Sequence, residues 1–333
     1  MRSSIPIAVL GLWCSACGSS SAEAPRDELE VGVGVETDSS SAIDTSSVGT
    51  DTASTDTFAG DTVASDTAPL DGALDADSAA PRPPCKRGIA YGHHSVSDLT
   101  ALSTGISWWY DWSPHPDDAA IRAAFPGLGV DFTPMVWGGT FTVADVESQI
   151  PSSARFLLGF NEPNFNSQAN LTPTQAAALW PQVERIAKDK GLTLVSPALN
   201  YCGGGCNVTD PYDWLDQFFA ACTGCKVEAI AVHWYACTKP ALNNYLKKFE
   251  TKYARPVWLT EFSCLDATDV SEPVQEAYMK EAVPVLEADP MIARYAWFSG
   301  RFAAKPTVNL LGDDGKLTAL GKLYVGLPQA CRP

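Results

Sequence analysis

The chain has 333 residues, enough for one large domain with an appendage or for two modest domains. Its 39 acidic and 23 basic residues give a formal net charge of −16 and form no basic stripe, which argues against nucleic-acid binding. No apolar run after residue 84 is long enough to cross a membrane.

Residues 1–17 have the pattern of an export signal. The apolar run Ile5–Trp13 follows a basic residue and is too short to span a bilayer. Ser15-Ala16-Cys17 resembles the lipobox of bacterial lipoproteins, although Cys14 stands where such boxes usually carry an aliphatic residue. We expect a lipoprotein signal with Cys17 as the lipidated residue; simple secretion is the alternative.

Residues 18–84 differ in composition from the rest of the chain. They are rich in Ser, Thr, Ala and Asp, and they carry 14 acidic but only 2 basic residues. Such a segment buries too little apolar surface to offset its ordering entropy, and its like charges keep it extended. We interpret it as a disordered tether; an acidic binding tail is the alternative.

Residues 85–333 alternate apolar β-type runs with helical stretches. The predicted strands are Gly88–Gly92, Ile106–Asp111, Val130–Trp137, Arg155–Asn161, Thr193–Asn200, Val227–Trp234, Pro256–Phe262 and Ile292–Phe298. The clearest predicted helices are Thr174–Lys190, Asp213–Ala221, Ala241–Tyr253, Val274–Ala288 and Leu317–Val325. Eight strands alternating with helices over about 250 residues predict a (β/α)8 TIM barrel. A doubly wound open sheet is less favoured, because no glycine-rich phosphate fingerprint follows the first strand.

Eight of the ten cysteines lie in this domain, and an even number in an exported domain suggests disulfides. A bridge between Cys85 and Cys331 would tie the ends of the domain, and Cys237 and Cys264 follow neighbouring strands. A zinc site formed by the pairs Cys202/Cys206 and Cys222/Cys225 is an open alternative.

Two carboxylates follow predicted buried strands. Glu162 ends the fourth strand in the stretch Leu157–Asn164, and Glu261 ends the seventh, 99 residues later. Strands of such barrels place catalytic residues at their carboxyl ends, so these side chains are expected to face each other across the barrel mouth. Paired carboxylates of this kind hydrolyse glycosidic bonds. The alternative is that both are loop carboxylates paired with Lys or Arg.

The sixth predicted strand ends in Val232-His233-Trp234-Tyr235. The period of two places His233 and Tyr235 on one face, where His233 would hold a sugar or orient a carboxylate and Tyr235 would donate to Glu261. A buried core histidine is the alternative for His233.

Aromatic residues crowd the ends of other strands and suggest platforms for sugar rings. Candidates are Trp108 and Trp109 on the second strand, Trp137 on the third and Trp297 on the eighth, with Trp137 and Trp297 favoured. Tryptophans in the predicted helices are expected to belong to the core.

Four motifs in order resemble glycoside hydrolase family 128: Gly-Phe-Asn-Glu-Pro-Asn at 159–164, Val-His-Trp-Tyr at 232–235, Trp-Leu-Thr-Glu-Phe at 258–262 and Tyr-Ala-Trp-Phe at 295–298. The resemblance implies a retaining (β/α)8 endo-β-1,3-glucanase with Glu162 as acid/base and Glu261 as nucleophile. It also implies that Asn161, His233, Tyr235 and Trp297 line the sugar subsite beside the cleaved bond.

The sequence pattern predicts a monomeric, exported glycoside hydrolase, and the resemblance implies that its substrate is a β-1,3-glucan chain. We expect no cofactor, no metal and no membrane contact beyond the lipid anchor, with a raised pKa for Glu162 and an ionised Glu261. A noncatalytic glucan-binding lipoprotein and a glycosidase acting on another β-linked polysaccharide are the alternatives.

Overall fold

The computed structural model describes residues 85–331, so the predicted signal at 1–17 and tether at 18–84 lie outside the described residues. Within that range eight strands alternate with eight α-helices. The strands are β1 (Arg87–Ala90), β2 (Trp108–Tyr110), β3 (Asp131–Phe132), β4 (Phe156–Leu158), β5 (Thr193–Val195), β6 (Ile230–Ala236), β7 (Val257–Asp266) and β8 (Ile292–Trp297). The helices are α1 (Val96–Leu102), α2 (Ala119–Ala124), α3 (Val143–Gln149), α4 (Pro173–Lys190), α5 (Pro211–Ala221), α6 (Lys239–Tyr253), α7 (Glu272–Ala288) and α8 (Ala319–Gly326).

All strand pairings are parallel and together they close a ring. Six strands form one sheet in the order β3-β2-β1-β8-β7-β6, and β4 pairs with β5. Single bridges join the two sheets: Met135 with Leu158 on one side, and Val195 with Ala229 on the other. The predicted (β/α)8 barrel is therefore confirmed, and the open-sheet alternative is wrong because β1 pairs with β8.

Each strand divides its side chains between the barrel interior and the helix layer. One apolar cluster fills the interior and takes residues from every strand except β3, after which Met135 contributes: Ala90, Trp108, Tyr110, Met135, Leu158, Val195, Ala231, Trp258 and Ala296 are members. The larger cluster lies between the strands and the helices. This alternation decides which residue at each strand end reaches the cleft.

Both ends of helix α4 carry residues typical of helix termini. Thr172 accepts a hydrogen bond from the Gln175 backbone N–H, the Gln175 side chain bonds back to Thr172, and Pro173 occupies the first helical position. Gly191 ends the helix in the left-handed conformation. No helix of residues 85–331 has the length and apolar character needed to cross a membrane.

The eight cysteines of the described chain form four disulfides, Cys85–Cys331, Cys202–Cys206, Cys222–Cys225 and Cys237–Cys264. The zinc alternative is therefore wrong for the two short pairs, because a thiol bonded to sulfur cannot ligate zinc as a thiolate. The first bridge ties the start of β1 to the chain that follows α8, as expected from the sequence.

Candidate active site

Glu162 follows β4, and the chain between them packs closely against the segment that follows β5. A side chain at Gly159 would stand 2.8 Å from the Pro197 backbone nitrogen and 2.9 Å from the Trp180 ring, so glycine permits the close approach of the β4 and β5 segments. Glu162 itself has a φ of +40°, and its N–H donates to the Ala198 carbonyl at 2.9 Å. The left-handed backbone turns its carboxylate towards the interior, where it is buried.

Glu261 lies inside β7 and not at its end, because the strand continues to Asp266. Strict alternation from Trp258, which faces the interior, would turn Glu261 towards the helices. The ladder with β6 instead pairs Val232 with Leu259 and His233 with Glu261, which leaves Thr260 as an extra residue. This bulge turns Glu261 into the barrel, as bulges beside active sites commonly do.

The Glu162 carboxylate accepts two hydrogen bonds on one oxygen. Its Oε1 lies 3.0 Å from Asn200 Nδ2 and 2.8 Å from His233 Nδ1. Both partners are buried. The second oxygen carries neither of these bonds, so Glu162 is held on one side and has a free side for a ligand.

Three donors surround Glu261. Tyr110 OH and Trp112 Nε1 donate to its Oε1 at 2.9 and 2.8 Å, and Tyr235 OH donates to its Oε2. Hydrogen bonds to an ionised acceptor are stronger than neutral ones, so this set favours the carboxylate form. The predicted contact of Tyr235 with Glu261 is present.

His233 lies between the two carboxylates. Its Nδ1 bonds Glu162, and its Nε2 lies 3.5 Å from Glu261 Oε1 without a hydrogen bond. A carboxylate oxygen from each Glu and a ring nitrogen of His233 all lie within 4.8 Å of one another. Burial lowers the pKa of His233, but the two carboxylates raise it more strongly, so its pKa ends above the ordinary value. The hydrogen bond at Nδ1 fixes the orientation of the Glu162 carboxylate.

Burial raises the pKa of Glu261 above its usual value; His233 and the hydrogen bonds from Tyr235 and Trp112 lower it, while Glu162 raises it. The ionised state expected for Glu261 stays a prediction. Burial, and then the charge of Glu261, raise the pKa values of Tyr110 and Tyr235 far above the usual range. Both phenols remain protonated donors in neutral solution.

Several buried polar atoms at the site have no partner. They are Asn161 Oδ1, Asn200 Oδ1 and His233 Nε2. Asn161 Nδ2 donates to Gln168 Oε1 at 3.2 Å, so the side chain is fixed while its oxygen is free. Buried polar atoms without partners are uncommon, and a sugar presents the hydroxyl groups that would satisfy them. The sugar-binding role of Asn161 stays a prediction, to which this fixed and unpartnered oxygen is suited.

Among residues 85–331, one group of three His, Cys, Asp or Glu side chains has ligand atoms close enough for one metal ion: Glu162, His233 and Glu261. Glu261 Oε1 already accepts two hydrogen bonds and its Oε2 a third. A metal would have to displace these donors, so the donor set suits a free carboxylate better than a ligand to a cation.

Three of the four predicted tryptophan platforms do not reach the cleft. Trp108 is fully buried in the interior below Tyr110, with its indole N–H on the Lys86 carbonyl. Trp109 and Trp297 are fully buried in the helix layer; Trp297 donates to the Val308 carbonyl. The predictions for Trp109 and Trp297 are wrong because both rings face the helices, and the prediction for Trp108 is wrong because its ring lies in the interior below Tyr110.

Trp137 differs from the other three. Its side chain is 38 % exposed, and its carbonyl accepts the Asn161 N–H at 2.8 Å, which places it beside the cleft. An exposed indole at this point is available to a sugar ring.

Sequence reasoning missed three residues that bond the carboxylates: Tyr110, Trp112 and Asn200. Tyr110 shares the interior face of β2 with Trp108, so the period of two offered a signal. Trp112 and Asn200 follow strands through irregular backbone, where periodicity gives no direction.

The sequence profile described as the glycosyl hydrolase catalytic core matches residues 88–324. The structure of a subgroup II endo-β-1,3-glucanase of glycoside hydrolase family 128 from Sorangium cellulosum is 48 % identical, with a TM-score of 0.70. The match covers 74 % of this chain and 99 % of that one. The subgroup II enzyme from Pseudomonas viridiflava is 38 % identical, with a TM-score of 0.66 and coverage of 73 % and 98 %.

A curated relative, alkali-sensitive linkage protein 1 of Schizosaccharomyces pombe, is 27 % identical over 252 residues. The match covers 72 % of this chain, which spans 44 % of the length of that relative.

Proposed function

This chain belongs to the glycosyl hydrolase catalytic core family and to glycoside hydrolase family 128, and on that premise we propose that it is a retaining endo-β-1,3-glucanase. One observation carries the proposal. Two buried carboxylates from β4 and β7 approach within 4.8 Å, in a barrel 48 % identical to an endo-β-1,3-glucanase over 99 % of that enzyme. Retaining enzymes need carboxyl groups about 5–5.5 Å apart, whereas inverting enzymes leave room for a water between them.

In the first step Glu261 attacks the anomeric carbon of the glucose unit on the non-reducing side of the scissile bond. Glu162 donates its proton to the departing glycosidic oxygen, so the C–O bond breaks as the glycosyl–enzyme ester forms. In the second step Glu162 takes a proton from water, the resulting hydroxide attacks the same carbon, and Glu261 leaves as a carboxylate.

The other residues of the site act on these two groups or on the sugar. Tyr110 and Tyr235 stabilise the Glu261 carboxylate before attack and after release, since both donate to it. His233 and Asn200 fix the orientation of Glu162. The free Oδ1 of Asn161 accepts a sugar hydroxyl, and Trp137 stacks on a neighbouring glucose unit.

The test is hydrolysis of a soluble β-1,3-glucan within a panel of other β-linked polysaccharides. We expect early products of mixed length, as internal cleavage gives, and proton NMR should show the β-anomer forming first. Replacing Glu162 with Gln should lower kcat/KM by about 10²–10⁴-fold, and Glu261→Gln should remove turnover. The matched control is Glu276→Gln, which changes an exposed glutamate on α7.

Two results would contradict the proposal. Binding of insoluble glucan without product release would indicate a noncatalytic glucan-binding protein. Turnover confined to another polysaccharide of the panel would keep the two-carboxylate mechanism and replace the substrate.

We further propose that the domain acts as a monomer outside the cytoplasm, attached to a membrane by a lipid on Cys17 and lifted from it by residues 18–84. The apolar run before Cys17 and the acidic composition of the tether support this proposal. Expression with radiolabelled palmitate in a bacterial host should label the mature chain that begins at Cys17, and Cys17→Ser should abolish the label. Release of unlabelled protein into the medium would indicate simple secretion.

A further inference from the structure

Trp112, which donates to Glu261, adopts a backbone conformation that bulky residues rarely accept. Its φ is +62°, in the left-handed region where the side chain crowds the following carbonyl. Such conformations persist only where the surroundings enforce them, and they concentrate at functional sites. The indole is half-buried and its N–H lies 2.8 Å from Glu261 Oε1.

The side chain of Asp111, the residue before Trp112, bonds the chain that follows the indole. Its Oδ1 accepts the Ser113 N–H at 3.2 Å, and its Oδ2 accepts the Asp117 N–H at 3.1 Å. The two bonds close the loop between β2 and α2 around the carboxylate. With Ser113 and Asp117 drawn back towards Asp111, the chain bends at the residue that carries the indole.

The same loop is anchored to its neighbours on both sides. Asp117 Oδ2 accepts the backbone N–H of His93 at 3.1 Å and pairs with His93 Nδ1 at 2.6 Å. On the other side, the Met135 N–H donates to the Ser113 carbonyl at 3.0 Å. The loop is therefore a braced segment between the β1 and β3 ends of the barrel, with Asp111 at its centre.

We propose that Asp111 is a positioning residue of the reaction: it bends the β2–α2 loop so that the Trp112 indole N–H is held on Glu261 Oε1. This inference rests on the proposed function, because Glu261 is the nucleophile of that reaction. The N–H favours the ionised form of Glu261, so the charge on the nucleophile depends on a carboxylate that does not contact it.

The test measures the titration of Glu261 in the free protein by carboxyl 13C NMR with labelled glutamate, its signal assigned by loss in Glu261→Gln. Removing the Trp112 donor with Trp112→Phe should raise the pKa of Glu261 by about 1 unit, because a hydrogen bond to a charged group is lost. Asp111→Ala should raise the pKa of Glu261 by the same amount. The variant that combines both substitutions should show no further rise. The other groups that face Glu261, namely Glu162, His233, Tyr110 and Tyr235, are unchanged in every variant.

The matched control is Asp118→Ala. Asp118 lies in the same loop and also accepts two backbone N–H bonds, at 2.7 and 3.1 Å, but it caps α2 and does not bend the chain at Trp112. It should lower the melting temperature and leave the Glu261 titration unchanged. If Asp111→Ala does not fold, Asp111→Asn serves, since its amide keeps the bond from Ser113 and loses the one from Asp117.

An unchanged Glu261 pKa in a folded Asp111 variant, beside a raised pKa in Trp112→Phe, would overturn the proposal, and so would an unchanged pKa in Trp112→Phe itself. The NMR titration needs no substrate, so failure of the proposed glucanase activity would be seen separately in wild-type turnover. In the active enzyme the acid limb of kcat/KM should move to higher pH in Asp111→Ala by the same amount as in Trp112→Phe.

Discussion

The two ends of the barrel both bury charge, and they treat it differently. At the amino ends of the strands, Arg87 is fully buried, and each of its nitrogens has an acceptor: Tyr295 OH, Glu287 Oε1 and the carbonyls of Tyr324, Leu327 and Pro328. Glu287 is in turn bonded by Tyr295 and by the Ala330 N–H. Charges and hydrogen bonds balance, as a buried ion pair requires.

At the carboxyl ends, the buried Glu162 and Glu261 share one imidazole, and polar atoms beside them, among them Asn161 Oδ1 and Asn200 Oδ1, have no partner. Burial of charge therefore does not by itself identify the active site. The difference lies in what remains unsatisfied: the Arg87–Glu287 pair completes its bonds within the protein, and the group around Glu162 and Glu261 leaves bonds for a ligand. The first group stabilises the barrel, and the second gives up stability for binding and chemistry.

The first prediction tests the fully bonded Arg87–Glu287 pair at the amino ends of the strands. Arg87→Met removes the cation and leaves Glu287 buried without its ionic partner, so the free energy of unfolding should fall by about 3–5 kcal/mol. Urea denaturation measures this loss, and the kcat of the protein that remains folded should equal that of wild type. Arg185→Met is the control, because the pair of Arg185 with Asp189 is exposed and should contribute less than about 1 kcal/mol. A loss at Arg87 as small as at Arg185 would contradict the structural role.

Mutation of Glu261, at the carboxyl ends of the strands, should change the free energy of unfolding in the opposite direction. Glu261→Gln should leave the protein more stable than wild type at neutral pH, by about 0.5–2 kcal/mol, while it removes turnover. The sign follows from the raised pKa of Glu261. A folded pKa above the unfolded one contributes stability at low pH that is lost as pH rises through the folded pKa, and glutamine has no such loss.

Thermal melts of Glu261→Gln and wild type from pH 4 to 8 measure this difference, with Glu276→Gln as the exposed control. The gain should grow with pH and vanish near pH 4. A variant that is less stable than wild type at neutral pH would show that the donors around Glu261 stabilise the fold more than its burial destabilises it.

The barrel and the approach of the Glu162 and Glu261 segments were predictable because they rest on regular features. Alternating strands and helices imply a barrel, and period two places His233 and Tyr235 on one face, which the structure confirms. The direction of Glu261 was not predictable, since it depends on the extra residue Thr260 in the ladder. Trp112 depends on a left-handed residue held by a side chain, for which a single sequence gives no pattern.

The tryptophans also show that sequence position alone does not reveal the direction of a side chain. Counting aromatics near strand ends selected Trp297, which faces the helix layer, together with Trp137, which is exposed. Composition and position along a strand are alike for both; only the face of the strand separates them. A one-residue difference in phase moves a ring from the cleft to the core.

Trp137 gives the smallest and most selective of the expected effects. Trp137→Ala should raise KM for a glucan chain by roughly 2–10-fold, which corresponds to about 0.5–1.5 kcal/mol of aromatic contact, and should leave kcat and the melting temperature nearly unchanged. Trp297→Ala is the matched control: its ring is fully buried, so its loss should lower the free energy of unfolding by about 3–5 kcal/mol without a specific change in KM. Steady-state kinetics on oligosaccharides of increasing length would measure both, because a platform beyond the cleaved bond matters only when the substrate reaches it. An unchanged KM for long chains in Trp137→Ala would mean that the exposed indole lies off the path of the glucan, and that recognition rests on the buried polar atoms beside Glu162.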